Sequence, residues 1–157
     1  MNFKKGILFL IIAGCLFALD QWSKSLYVGL AEGTTVATLI PGVLDFTLVH
    51  NTGAAWGMLG DWTNVFIVIA LIVLAIIAFI VFVRGERTDT FSVIALSFLF
   101  AGGLGNAVDR YLNGYVIDFI NFKLIDFPVF NVADMAITIG VIMLLINIVL
   151  FGGNRGR

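Results

Sequence analysis

Four acids lie in or beside apolar sequence, where an acid is expensive: Asp20, Asp109, Asp118 and Asp134. An ionisable side chain at membrane depth has to be paired, neutralised or put to use. Asp20 and Lys24 are spaced i,i+4 and can pair on one helix face. Asn106, Asp109 and Arg110 share a face at i, i+3 and i+4, and Asp109 reads most simply as an ionised structural acid beside Arg110. Asp118 sits in Gly114-Tyr115-Val116-Ile117-Asp118-Phe119-Ile120 with no adjacent cation; on local grounds it is a solvated strand acid. Asp134 follows Asn131 by three residues, so locally it is a first-turn acid behind an asparagine N-cap. Two carboxylates brought close in a poorly hydrated site cannot both ionise easily, so one proton is shared. Such a pair holds an acid and a base at once, which is the equipment for activating water against an amide. Spacing alone does not choose the pair among these four.

Other chemistries fit less well. Ser23 and Ser25 flank Lys24, but i,i+1 residues on a helix do not face one another. Ser92 and Ser97 fall toward the opposite end of a later helix. His50 is the single histidine and lies in an outer loop or strand, while the single cysteine, Cys15, lies inside the first helix. No thiolate zinc site or histidine metal cluster can be built from these, and no cofactor is expected.

The elements that must position the acids are membrane spans. Of 157 residues, 61% are hydrophobic and only 12% charged, against roughly 25% charged in soluble domains. A soluble fold of this size could not hide that much apolar surface, and the net charge of -1 gives no basic field for nucleic acid. A spanning helix needs about 20 mostly apolar residues. Four segments read as spans, approximately 6–27, 63–83, 91–109 and 131–151, in one domain covering 1–157. Lys4, Lys5, Arg84, Arg87, Arg155 and Arg157 fall on one side, and Lys24, Arg110 and Lys123 on the other. The excess places both termini in the cytoplasm. The long connections then face outward, with Trp22, Tyr27, Trp56, Trp62, Tyr111 and Tyr115 at the outer level as interfacial aromatics. Thr34–Leu39 and Val43–Val49 are rich in β-branched residues around a Pro41-Gly42 turn signal, and Tyr115–Phe122 also reads as extended. The expected fold class is therefore an all-α integral membrane protein. It has four transmembrane helices and a small extracytoplasmic β-structure. Gly102, Gly103 and Gly105 allow close helix approach. Asp126-Phe127-Pro128 reads as a turn. Residues 1–15 imitate a lipoprotein signal peptide ending in Ile12-Ala13-Gly14-Cys15; the apolar run after Cys15 favours a spanning helix instead.

Five segments, in order, carry a resemblance to bacterial lipoprotein signal peptidase, also called signal peptidase II. They are Asp20-Gln21-Trp22-Ser23-Lys24, Asn51-Thr52-Gly53-Ala54-Ala55-Trp56, Gly102 to Arg110, Val116-Ile117-Asp118-Phe119 and Phe130-Asn131-Val132-Ala133-Asp134. The resemblance implies an aspartic endopeptidase of the bacterial cytoplasmic membrane, acting at its outer face. It would cut diacylglyceryl-modified prolipoproteins just before the lipidated cysteine. It implies Asp118 and Asp134 as the catalytic pair. Asn51, Asn106, Arg110 and Asn131 would form a polar shell around pair and substrate, and Asp20, Lys24 and Asp109 would support it. The outer strands resemble the family's β-cradle, and the segment around Trp56 its short outer helix over the active site. Membrane lipids and globomycin-type cyclic peptides are the implied further ligands, and a monomer is expected. The alternatives are a small proton- or cation-conducting protein using the same carboxylates, which predicts acids spread through the bilayer, and a non-catalytic scaffold, which predicts tolerance of substitution at Asp118 and Asp134.

Overall fold

The structure, a computed structural model, describes residues 3–53, 62–125 and 127–151. The Trp56 segment and the turn at Asp126 lie outside the described residues. In chain order the elements are α1 (Phe3–Ser25), β1 (Thr35–Ile40), β2 (Leu44–Asn51), α2 (Thr63–Val83), α3 (Thr90–Asn113), β3 (Val116–Phe122) and α4 (Val132–Phe151). Among the described residues, three helices are long and apolar enough to cross a membrane: α2, α3 and α4. The outward faces of α2 and α4 are mostly exposed leucine, isoleucine and valine, the composition that lipid stabilises and water does not. Helix α1 has a comparable 23 residues but buries Asp20 and Lys24.

Helix α3 is central and packs against the other three. Its ends follow local chemistry. Asp89 is the N-cap and accepts from the Ser92 N–H at 2.8 Å. Gly114, at φ 80°, ends it in the left-handed conformation. The helix thus runs a turn beyond the expected end at Asp109. Asp109 is buried and paired within the bundle, so its charge is no stop signal; the glycine is. Close approach depends on Gly102 and Gly105. A Cβ on Gly102 would overlap the Ala133 carbonyl oxygen and meet Ile137 Cγ1 at 2.7 Å, and a Cβ on Gly105 would overlap the Asp20 carboxylate. Gly102→Ala should therefore cost about 1–3 kcal/mol, because the obstacle is backbone and cannot rotate away. Thermal unfolding in detergent checks this; an unchanged midpoint would contradict the packing.

At one end of the bundle Phe9, Ile77, Val81, Val93 and Leu96 form an apolar core, with Phe9 edge-on to Phe82 and Phe100 at 5.7 and 5.1 Å. At the other end lies an antiparallel sheet of order β1-β2-β3. The Pro41-Gly42 turn connects β1 and β2 where expected, with Gly42 at φ 74°. Tyr27, Leu48, Ile117 and Phe119 pack beneath this sheet. Tyr27 stacks on Phe119 at 4.6 Å and is buried. It is a core residue, a correction to its expected interfacial role, because the strand after α3 folds back over it. Trp22, Trp62 and Tyr111 are exposed at this end of the bundle. Cys15 is an exposed residue of α1.

Candidate active site

The site lies between the two apolar clusters, at the sheet end of the helices. Its key step is a short antiparallel bridge. Ile120 pairs with Phe130, the Ile120 N–H reaching the Phe130 carbonyl at 2.8 Å and the Phe130 N–H reaching the Ile120 carbonyl at 3.1 Å. That register sets Asn131, the residue before α4, beside Asp118 of β3. Asn131 then opens α4 as expected. The Asp134 N–H donates to Asn131 Oδ1 at 2.9 Å, and the Asn131 N–H donates to Asp134 Oδ2 at 3.1 Å. This is a reciprocal capping arrangement with an aspartate at its third position. Asp134 is thus a helix-capping acid and a site acid together; the two readings do not compete.

Each of the four carboxylate oxygens receives one N–H. Asp118 Oδ1 accepts from Asn131 Nδ2 at 2.7 Å, and Asp118 Oδ2 from Asn51 Nδ2 at 2.8 Å. Asp134 Oδ1 accepts from Asn106 Nδ2 at 2.7 Å, and Oδ2 takes the Asn131 N–H. The asparagine orientations follow from chemistry. In each case the far end of the amide meets a group that can only donate, so that end is the carbonyl. For Asn51 the donor is the Gly53 N–H at 3.0 Å, for Asn131 the Asp134 N–H, and for Asn106 the Lys24 ammonium at 3.0 Å. All three amides therefore turn their N–H groups toward the acids.

Beneath this layer Lys24, 2% exposed, is held by Asp20 Oδ2 at 2.9 Å and Asp109 Oδ2 at 3.0 Å. The Asp20–Lys24 pair is the one the i,i+4 spacing predicts. Asp109 pairs with Lys24 across helices, which corrects the expected pairing with Arg110. Adjacent residues on a helix diverge by about 100°, so Arg110 leaves on another side. Its Nη2 donates to the Gly53 carbonyl at 3.0 Å, and its guanidinium lies 5.1 Å from the Phe66 ring centroid. Two contacts had no signal in the sequence. Asp20 Oδ1 accepts from the Ala133 N–H at 2.9 Å and so caps α4 from another helix, and Gln21 Nε2 bridges Asp20 and Asp109 at 3.1 and 3.2 Å. His50 lies on β2, stacked on Tyr115 at 4.0 Å, and stands outside this network.

Asp118 and Asp134 line one cavity of about 190 Å³, together with Asn51 and the 127–130 segment. Asp118 is 1% exposed, so it is not the solvated strand acid of the local reading. Burial first, and then the neighbouring Asp134 charge, push the Asp118 carboxyl up to about 7. Two apolar grooves adjoin. One, of about 310 Å³, runs from Asp134 past Phe127, Phe130, Met135 and Ile139. The other, of about 240 Å³, descends from Arg110 and Asn106 past Gly103, Ala70 and Val73.

The sequence pattern of the family described as signal peptidase (SPase) II matches residues 12–150. The chain belongs to the signal peptidase II family. A lipoprotein signal peptidase of Enterococcus faecalis is 38% identical over 144 residues, covering 92% of this chain and 89% of the relative. One of Brevibacillus brevis is 43% identical over 143 residues, covering 90% and 95%. Two bacterial membrane enzymes solved by the in meso method share the fold. At 2.3 Å resolution the TM-score is 0.86 with 35% identity, covering 96% of this chain and 92% of the other. At 1.9 Å it is 0.81 with 36% identity, covering 92% and 94%. This signal peptidase II is a bacterial membrane protease that cleaves the signal peptides of lipoproteins. The ion-conducting alternative gains no support. Helix α2 contains no charged residue and α4 only Asp134, at its start.

Proposed function

We propose that this peptidase is of the aspartic type, with Asp118 and Asp134 as the reacting pair. Asn51, Asn106 and Asn131 orient the carboxylates. Four spanning helices place both termini in the cytoplasm and the sheet end at the outer face of the cytoplasmic membrane. The substrate is a diacylglyceryl-modified prolipoprotein, cut on the N-terminal side of the lipidated cysteine. The supporting observation is the shared cavity, in which each carboxylate oxygen already holds one N–H and keeps a lone pair for water or a proton.

In this mechanism Asp118 holds the shared proton. Asp134 takes a proton from water as the oxygen attacks the scissile carbonyl. Asp118 donates to the developing oxyanion; the proton gathered on Asp134 then passes to the leaving amine of the cysteine as the C–N bond breaks, and the collapsing diol returns its hydroxyl proton to Asp118, restoring the pair. The apolar grooves on either side accept the signal helix and acyl chains, each buried methylene contributing about 0.8 kcal/mol. Arg110, at the head of one groove, offers its guanidinium to substrate carbonyls or holds the Gly53 turn beside the cavity. The enzyme works as a monomer, and a globomycin-type cyclic peptide competes for the same cavity. The test is cleavage of a lipidated prolipoprotein by the wild type and by Asp118→Asn and Asp134→Asn; a folded variant that cleaves normally would refute the pair.

A pH dependence follows. Asp118 stays protonated until about 7 instead of the ordinary 3.8. Turnover should therefore fall as pH rises through about 7, when the pair acquires its second charge. The folded chain also binds this proton over a range where the unfolded chain has lost it. Folded stability contributed by this group is thus greatest below the ordinary carboxylate value and declines as pH rises toward about 7. Profiles of kcat/KM in detergent check the first statement, and a profile flat well above neutrality would contradict it.

A further inference from the structure

We propose that Lys24 is a positioning residue for the two carboxylates, fixing the Asn106 amide so that its N–H faces Asp134 and tying together the segments that carry both acids. This rests on the carboxylate-pair reading and extends it to a residue that touches neither acid.

The Lys24 ammonium has three N–H donors and no acceptor. All three are used: Asp20 Oδ2 at 2.9 Å, Asp109 Oδ2 at 3.0 Å and Asn106 Oδ1 at 3.0 Å. If the Asn106 amide were reversed, Lys24 would face an N–H and Asp134 would face a carbonyl. Both contacts would be repulsive, and in this buried setting the repulsion is weakly screened. The cation therefore sets which end of Asn106 the acid meets, with the Asn131 Nδ2 N–H, which also reaches Asn106 Oδ1 at 3.1 Å, as a weaker neutral second donor. Its two anionic partners carry the second half of the role. Asp20 accepts from the N–H of Ala133, the residue before Asp134, at 2.9 Å. Asp109 accepts from the N–H of Ile117, the residue before Asp118, at 3.1 Å. One ammonium thus references the backbone immediately preceding each reacting acid. A buried ion triad is a poor stabiliser compared with apolar packing of equal volume. Geometry accounts for its presence where stability does not.

The test neutralises the node without emptying it: Asp20→Asn, Lys24→Met and Asp109→Asn together. The asparagine carbonyls still accept from Ala133 and Ile117, so the fold persists while the charged hold on Asn106 is lost and only the neutral Asn131 N–H at 3.1 Å remains on its oxygen. The expected result is a fall in kcat of about tenfold to hundredfold, the range seen when groups that orient reacting ligands are removed. KM should stay within about twofold, since no groove residue has changed. The same neutralisation in an Asn106→Ala background should lower kcat by less than about twofold further, because the lever then has nothing to turn. Wild-type kcat in the triple variant, or losses that multiply fully in the Asn106→Ala background, would overturn the proposal. If the triple variant does not fold, Asn106→Asp serves. It keeps the three partners of Lys24 and replaces the N–H given to Asp134 by a carboxylate oxygen, so a wild-type kcat there is equally fatal, and a fall in kcat with KM held within about twofold supports the relay. Asp118→Asn and Asp134→Asn are assayed alongside. Turnover in either sinks the pair itself, whereas two inactive variants beside a fully active triple sink only the role of Lys24.

Discussion

Asp134→Asn is expected to lower cleavage of a lipidated prolipoprotein by about 10³-fold or more, within the range general acid–base catalysis supplies. That is about 4 kcal/mol of transition-state stabilisation. The substitution is nearly isosteric and leaves the fold in place. The asparagine carbonyl can still accept from the Asn131 N–H, preserving the cap, while its N–H2 must face the Asn106 N–H2. What is lost is the capacity to take a proton from water. Asp118→Asn should be comparably inactive for the complementary reason: an amide can donate to an oxyanion but cannot pass a proton on. The measurement is single-turnover cleavage at matched amounts of folded protein, with thermal unfolding as the control. Asp109→Asn separates structure from chemistry. Its acid contacts Lys24, Gln21 and the Ile117 N–H and does not line the cavity. It should chiefly lower stability and yield; complete loss of turnover in well-folded protein would move Asp109 into the reaction.

Much of this arrangement was legible in the sequence where the deciding contact is local. Pro41-Gly42 between β-branched runs gave the β1–β2 hairpin, Asn131 three before Asp134 gave the α4 cap, and the i,i+4 spacing gave Asp20–Lys24. The small residues of α3 marked its close approach to α1 and α4. Contacts set by the rotation of one helix against another were not legible. Local spacing matches Asp109 with its chain neighbour Arg110 because a sequence displays neighbours, whereas its partner Lys24 lies on α1. Tyr27 reads as an interfacial aromatic because nothing nearby in the chain reveals that Phe119 will cover it. The choice of Asp118 and Asp134 among four acids came from family resemblance. What brings them together is the Ile120–Phe130 bridge, a pairing between two apolar residues that no charge pattern announces.

Lys24→Met alone should be the most damaging substitution to the fold. It removes one cation from between two carboxylates that are both nearly inaccessible to water, Asp20 at 1% and Asp109 at 3% exposure. Breaking a buried pair by deleting one partner typically costs about 3–5 kcal/mol, because the remaining charge cannot be solvated. Here two acids are left facing each other, against a total stability of about 5–15 kcal/mol for a domain. The expected result is a steep drop in folded, membrane-inserted protein and in unfolding temperature. Adding Asp20→Asn and Asp109→Asn should restore both, since the volumes are kept and no charge remains to be compensated. An unfolding temperature for Lys24→Met close to wild type would mean that water reaches this cluster, contrary to its burial. The recovery also fixes how the node is understood. If neutral side chains of the same shape hold the helices together equally well, the ion triad is not what keeps α1, α3 and α4 assembled, and its charge has to be explained by what it orients.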